Sequence, residues 1–436
     1  MGVGLWARWV AMHGVPRAFM RIQALRGDPL ARLIASHGRG GDPYPLMEEI
    51  RVRGPLVRTP FTWVSVDHRI CREILRDKRF GVTATSAMDL PRPLRTLISK
   101  TDDEVVANPV EPPAMVVVDP PEHTRYRQAV AQSFTPRAID TLSGRVAEVT
   151  DQLIERLAGT PQPDLIADFA SQLPVAVIAE ILDLPPGIHA RMLEWGHRGA
   201  PLLDIGIGWR TYRRAIDSLR GADRELRERF HQLRAGEPGD NPFSRLATHG
   251  TLTDHEFTAN AALLIGAGFE TTVNLIGNGI VLLLQYPDQL ARLRADPELW
   301  PSAVEEILRI DSPVQMTART AHSDVGIAGF RIGAGDMVAL LLSGANRDPH
   351  VFADPETFDI TRPNARDHLA FASGIHACLG AALARIEGAT ALRALFEAFP
   401  DLELTAPPQP RGLVNLRGFS RLPASLGARS AASLGA

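Results

Sequence analysis

The stretch between Thr253 and Pro287 constrains this chain more than any other. Thr253-Asp254-His255-Glu256 fits a capping box, in which the Thr side chain accepts from the third helical amide and the Glu reaches back. No strong breaker follows until Pro287. The spacing predicts one helix of about 30 residues, roughly 45 Å long, enough to cross a whole domain. Apolar residues lie nearly all round it, the pattern of a helix through the middle of a core. Its hydrophobic span, Leu263 to Leu284, carries Glu270, Asn274 and Asn278, which are costly in lipid. The helix is therefore read as buried in protein.

Helical periodicity dominates the rest. Ala138 to Leu157 repeats apolar positions on one face, and Thr211 to Leu233 is another such run, strongly charged on its outer side. Leu56 to Arg58 and Thr62 to Val66 flank a turn at Thr59-Pro60-Phe61 and predict a small hairpin. Gly329 to Ile332 and Met337 to Leu341 predict two more strands around Gly333 to Asp336. From Thr85 to Val118 the periodicity fails and prolines cluster, which predicts a long irregular loop. With no repeat and no long linker, the expectation is one mainly α domain with small β-sheets. The Ala/Ser/Gly/Leu-rich residues 424–436 are expected to form a frayed tail.

Composition removes several classes of function. A net charge of −3 gives no global basic field for nucleic acid. Two cysteines, Cys71 and Cys378, cannot build a disulfide framework or a cysteine-only zinc site. Arg8, His13, Pro16 and Arg17 break up the apolar pieces near the N-terminus, so neither a cleavable signal nor a transmembrane anchor is expected there. The expected location is cytoplasmic.

Three features carry chemistry. Cys378 lies in Phe371-Ala372-Ser373-Gly374-Ile375-His376-Ala377-Cys378-Leu379-Gly380, just before a helical run from Ala381. A lone cysteine in apolar company is ordinarily an inert hydrophobe. At a helix N-terminus between glycines, however, amide donors favour a thiolate, as a soft metal or a nucleophile requires. In the middle of the long helix, Gly266-Ala267-Gly268-Phe269-Glu270-Thr271-Thr272 reads as close packing with back-bonded threonines. It reads equally as an acid–alcohol proton relay beside a helix deformation. The third feature is Glu306 and Arg309, which share a helix face; in isolation they are a common surface pair.

Together these features resemble the cytochrome P450 haem-thiolate monooxygenases of the soluble bacterial kind. Phe371, Gly374, Cys378 and Gly380 match the Phe-x-x-Gly-x-x-x-Cys-x-Gly pattern, and Ala267 to Thr272 match the oxygen-activation signature. Glu306 and Arg309 match Glu-x-x-Arg, with Arg362 after Phe358-Asp359 as third member of that structural triad. Pro120 to Arg127 and Asn346 to Pro349 are also similar to bacterial members. Order and spacing agree from about Asp28 to Leu426, giving an N-terminal extension over residues 1–25, a P450 domain over 26–423 and the tail. One departure is Ala372, where the family usually has glycine.

The resemblance implies a prism-shaped, mainly α fold with haem b between the long helix and the Cys378 loop. Cys378 would be the proximal ligand of the iron. Thr271 and Glu270 would serve oxygen activation, and Ala267 and Gly268 would border the haem, Gly268 leaving room above the iron. His123, Arg127, Arg319 and His376 would pair with the propionates, while Phe371 and Gly374 shape the loop. Glu306, Arg309 and Arg362 would serve structure and haem retention, with no part in turnover. The reaction implied is insertion of one atom of O2 into a hydrophobic small molecule. No flavin or nicotinamide fingerprint is present, so electrons would come from a ferredoxin and its reductase. The rival readings are a peroxide-driven peroxygenase, a non-catalytic haem-thiolate sensor and, more distantly, a cysteine hydrolase. Expected substrate-lining segments are Thr85 to Val118, Ala200 to Trp209, Ala261 to Ile265, Val314 to Thr317 and Leu416 to Phe419.

Overall fold

The computed structural model describes residues 2–36, 41–82, 108–235, 241–250 and 252–430. The long helix runs from Asp254 to Gln285 without a break. Both halves of its capping box form: Glu256 N donates to Thr253 Oγ1 at 3.3 Å, and Thr253 N to Glu256 Oε2 at 2.9 Å. The expected helix deformation around Gly266 to Thr272 is absent, because Thr271 and Thr272 donate to the carbonyls of Ala267 and Gly268 alongside an intact ladder.

The helices Gln172–Ile181, His189–Gly199, Trp209–Ala235, Trp300–Ile310 and Ala381–Ala398 surround it. Their apolar faces meet in one large core, with Phe169, Phe269, Ile276 and Leu392 almost wholly buried. The run predicted over Ala138 to Leu157 is the helix Pro136–Ala158, capped by Thr135, and that over Thr211 to Leu233 is Trp209–Ala235.

A five-stranded sheet lies to one side. Its strands are β1 (Val57–Arg58), β2 (Trp63–Ser65), β3 (Phe80–Gly81), β4 (Thr317–Ala321) and, after the hairpin β5 (Val325–Ile327) and β6 (Phe330–Ile332), β7 (Met337–Leu340). The order is β1-β2-β7-β4-β3, and only β2 and β7 are parallel. The early hairpin forms as predicted, Val57 opposite Val64. Both later strands form too, but they are not partners of each other. Phe330–Ile332 turns back on Val325–Ile327, while Met337–Leu340 inserts between two strands from distant parts of the chain.

Residues 108–118 are turns and a short 3-10 piece, as the failed periodicity predicts; 85–107 of that loop lie outside the described residues. The start of the C-terminal tail is not frayed. Ala424–Ser425 pairs with Glu403–Leu404, and Ser430 N donates to Ala398 O at 3.0 Å, because a buried Ala424 anchors the segment. At the N-terminal end, Gly2–Trp9, a single π turn at Val10–Gly14 and Val15–Leu25 form one continuous helical stretch.

Candidate active site

The helix Ala381–Ala398 runs alongside the long helix in one direction. A Cβ on Gly279 would lie 2.7 Å from Leu392, and one on Gly388 would lie 3.0 Å from Leu275, so glycine lets the two backbones approach. One turn earlier Thr272 hydrogen-bonds the buried carboxyl of Glu387. Earlier still the side chains become accessible. Ala267 is exposed and Gly266, Gly268 and Thr271 are half-buried in the middle of a mostly buried helix, and Cys378 is exposed just before the other helix. The same register, carried back along both helices, brings these accessible residues towards one end of the helix pair, where a cleft would lie between them.

The Cys378 loop is built by its own backbone. Cys378 N donates to Phe371 O at 2.9 Å, Ala377 N to Gly374 O at 3.1 Å and Ala372 N to Leu369 O at 2.8 Å. Gly374 has φ +76°, and a Cβ there would collide with the carbonyl oxygen of Leu75, so glycine is required twice over. Ala372 takes φ +55°, the left-handed conformation that glycine adopts freely. Although Cys378 is accessible, the protein around its sulfur still desolvates the thiol and raises it, while the Gly380 amide, Arg127 and Arg385 pull it down. Cys71 differs entirely: it is fully buried, donates to Ser65 O at 3.6 Å and is pushed up to about 12 by burial.

A cationic cluster lies beside this loop. The rings of His123 and His376 are 4.2 Å apart, and His123 Nδ1 and His376 Nε2 are buried without a hydrogen-bond partner. His376 Nε2 lies 3.6 Å from Asp119, outside hydrogen-bond reach. Burial, with Arg319 and His123 adding to it, lowers His376 to about 4; burial and Arg127 lower His123. Arg319 is brought down to about 10 by burial, with Asp119 acting against it. Its guanidinium donates only to Thr317 Oγ1 and Ala318 O, and no carboxylate among the described residues pairs with it or with Arg127. The cluster is short of negative charge.

The acid of the long helix is committed elsewhere. Glu270 is ion-paired with Arg411, which also donates to Asn274 Oδ1 at 3.1 Å and touches His197. The void beside Gly268 is filled too: a Cβ there would lie 2.9 Å from Ile178. Gly268 therefore admits the neighbouring helix Gln172–Ile181, while Ala267 beside it is exposed.

Glu306, Arg309 and Arg362 come together and are buried, contrary to the surface-pair reading. Arg309 Nε and Nη2 donate to the Glu306 carboxylate at 2.7 and 2.8 Å, and Arg362 Nε donates to it at 3.1 Å. Both guanidiniums also donate to Thr357 O, pinning the segment before Phe358. A second network escaped sequence reading. Glu305 accepts from Arg385 at 2.7 Å and pairs with His368 at 3.1 Å, while Arg385 stacks over the Phe371 ring. Burial pushes Glu305 up, but these partners outweigh it and hold it at about 2. Asp119, Arg385 and Arg411 were missed because their partners are remote in sequence; only Asp119, just before Pro120-Pro121, touches a motif.

Comparison with known proteins decides the family. The family model "Cytochrome P450" matches residues 222–413. The chain is 48% identical over 434 residues to the protein of Mycobacterium tuberculosis named cytochrome P450 140, covering 98% of each. The chain belongs to the cytochrome P450 family. It is also 38% identical to the cytochrome P450 monooxygenase PikC of Streptomyces venezuelae, over 84% of this chain and 86% of that one. Among solved P450 structures, Mycobacterium smegmatis CYP164A2 with econazole bound matches at a TM-score of 0.80, with 32% identity over 91% of this chain and 99% of that one. P450BioI, solved with hexadec-9Z-enoic acid ligated acyl carrier protein, matches at 0.79, with 32% identity over 88% and 98%. The mainly α fold is the P450 fold, and the protein is a cytochrome P450 monooxygenase whose cofactor is haem, iron protoporphyrin IX.

The cleft suits that cofactor. It offers a soft sulfur donor at a helix start, accessible Ala267 and Thr271 on the long helix, and a buried cationic cluster with orphaned imidazole nitrogens at its side. An anionic, flat, apolar group would complete all three. Val314 and Leu416, from two expected substrate-lining segments, form a bridge to each other.

Proposed function

We propose that this cytochrome P450 inserts one atom of O2 into a hydrophobic organic substrate and releases the other as water, with two electrons from a ferredoxin-type donor and two protons. The accessibility of Ala267, Thr271 and Cys378 along two packed helices supports this reading. Haem held by Cys378 supplies the activation of O2 and the transfer of its oxygen atom. The chain's own residues do the rest. His123, Arg127, Arg319 and His376 hold the propionates, which supply the charge the cluster lacks. Phe371 and Gly374 set the loop that aims the sulfur, and Glu306, Arg309 and Arg362 fix the segment behind it.

Thr271 Oγ1 now donates to Ala267 O at 2.9 Å; turning the hydroxyl aims its proton into the cleft. Glu270 replenishes that proton once its carboxylate exchanges Arg411 for water. A proton positioned this way is needed only where O2 must be cleaved, which favours a monooxygenase over a sensor or a peroxide-driven enzyme. The absence of a nicotinamide or flavin fingerprint in the sequence supports a separate electron donor, and the enzyme would work in the cytoplasm. The relatives named for polyketide biosynthesis and the structures bound to testosterone or a fatty acyl carrier support a hydrophobic substrate.

The test is coupling in Thr271→Ala, with a ferredoxin system and a substrate found by spectral screening. Substrate binding and NAD(P)H use should persist while product per NAD(P)H falls and hydrogen peroxide rises. Thr272→Ala should do much less, because its side chain lies about 100° further round the helix. Unchanged coupling in Thr271→Ala, or full turnover with peroxide and no electron donor, contradicts the reading.

A further inference from the structure

The N-terminal helical stretch has two apolar faces, one docked and the other largely open, with only Phe19 of its larger side chains packing a ring, on Phe61 at 5.8 Å. Ala11, Met12 and Met20 are buried against the body of the protein. Trp9 Nε1 donates to Ile207 O at 3.0 Å, Arg8 pairs with Glu111 at 2.5 Å, and the His13 ring packs on Tyr212 at 5.1 Å. The stretch is therefore docked. Yet Val15, Ala18, Phe19, Ile22 and Leu25, spaced three and four apart along one side of the helix Val15–Leu25, are all exposed. Ile22 is 49% and Leu25 89% accessible. On the Arg17 side of the helix Gly206 lies close, so the turn carrying exposed Leu203 and Ile205 adjoins it. Scattered apolar residues need no explanation, but a continuous helical stripe does.

Charge identifies what covers it. Residues 2–27 contain Arg8, Arg17, Arg21 and Arg26 and no aspartate or glutamate, in a chain whose net charge is −3. Arg21 and Arg26 are exposed at the stripe's margin, and neither has an ion-pair partner among the described residues. An apolar stripe edged by unpaired arginines fits a surface that is apolar within and anionic at its rim. A second copy of the chain in two-fold contact would set these arginines against their own equivalents.

We propose that the Val15–Leu25 helix and the adjoining Leu203–Ile205 turn form a peripheral docking surface for anionic lipid bilayers. The apolar side chains enter the headgroup–acyl boundary and the arginines meet lipid phosphates, with the rest of the enzyme outside the bilayer. No spanning helix is invoked: among the described residues the one helix long and apolar enough is the core helix Asp254–Gln285. The proposal does not depend on the substrate or on the roles given to the cleft residues.

The test is flotation of the haem-loaded full chain with vesicles of phosphatidylcholine alone, or of equal parts phosphatidylcholine and phosphatidylglycerol. Partition to the anionic vesicles should exceed that to the neutral ones by about tenfold or more at low salt, and weaken as salt rises. Phe19→Glu/Ile22→Glu and Arg21→Glu/Arg26→Glu should each lower it by about tenfold or more, with melting temperature and the CO spectrum unchanged. Failure to bind anionic vesicles overturns the proposal, as does binding that both double variants retain in full. So does concentration-dependent dimerisation, without vesicle binding, that the same variants abolish.

Discussion

Arg411 and Glu270 form an ion pair, both side chains buried, joining the loop after Gln409–Pro410 to the middle of the long helix. Asn274, one turn along, accepts from the same guanidinium. A buried charge that loses its partner costs about 3–5 kcal/mol. Arg411→Gln should therefore destabilise the protein by roughly that much, and Glu270→Gln/Arg411→Gln should regain most of the loss. Urea unfolding of the two single variants and the double variant measures the coupling. Additive losses would mean that the pair is not a unit.

Ala372 holds φ +55° with its amide bonded to Leu369 O, a conformation costing a non-glycine residue about 1–2 kcal/mol. Glycine removes that strain but frees the unfolded chain by about 0.4–1 kcal/mol. Ala372→Gly should be net stabilising by about 0.5–1 kcal/mol, a small upward shift in the melting curve of the haem-loaded protein. A downward shift would show that the methyl group's packing matters more than the backbone.

Glu387 is buried beside Thr272, and burial raises its carboxyl to about 8 against a smaller opposing hydrogen bond. The sign follows from proton binding. Between about pH 4.5 and 8 the folded protein keeps this proton and the unfolded chain does not, so unfolding releases it. The contribution is fully present below the unfolded value and is lost as pH rises through the folded one. Wild-type stability minus that of Glu387→Gln should fall by up to about 1.4 kcal/mol per pH unit across this window. Denaturation of both proteins at pH 5, 6.5 and 8 checks it. A pH-independent difference would mean that Glu387 is ionised in the native state.

Features written in neighbouring residues were legible in the sequence. The long helix announces itself by Thr253, Glu256 and Pro287, and the Cys378 loop by its glycines and the helix that follows. The glycine at 374 was read correctly as a backbone requirement, though that its obstacle is Leu75 O could not be. What the sequence hid was non-local. The strand Met337–Leu340 looks like a partner for Phe330–Ile332, but its true neighbours are Trp63–Ser65 and Thr317–Ala321. Glu306 and Arg309 taken alone read as a surface pair, and only the resemblance pointed to the triad with Arg362, because their burial is set by Arg362 and the carbonyls of Asn346, Pro355 and Thr357. Nothing local to Gly268 reveals that it lies against Ile178.

The central claim is that Cys378, and not Cys71, binds the haem iron, and the ferrous–CO spectrum tests it most directly. A thiolate gives that complex a strongly red-shifted Soret band, so Cys378→Ala should lose the band. Cys71→Ala removes a buried thiol pushed up to about 12 and should keep the band, with some loss of stability. A thiolate spectrum that survives Cys378→Ala, or disappears in a folded, haem-loaded Cys71→Ala protein, would contradict the account.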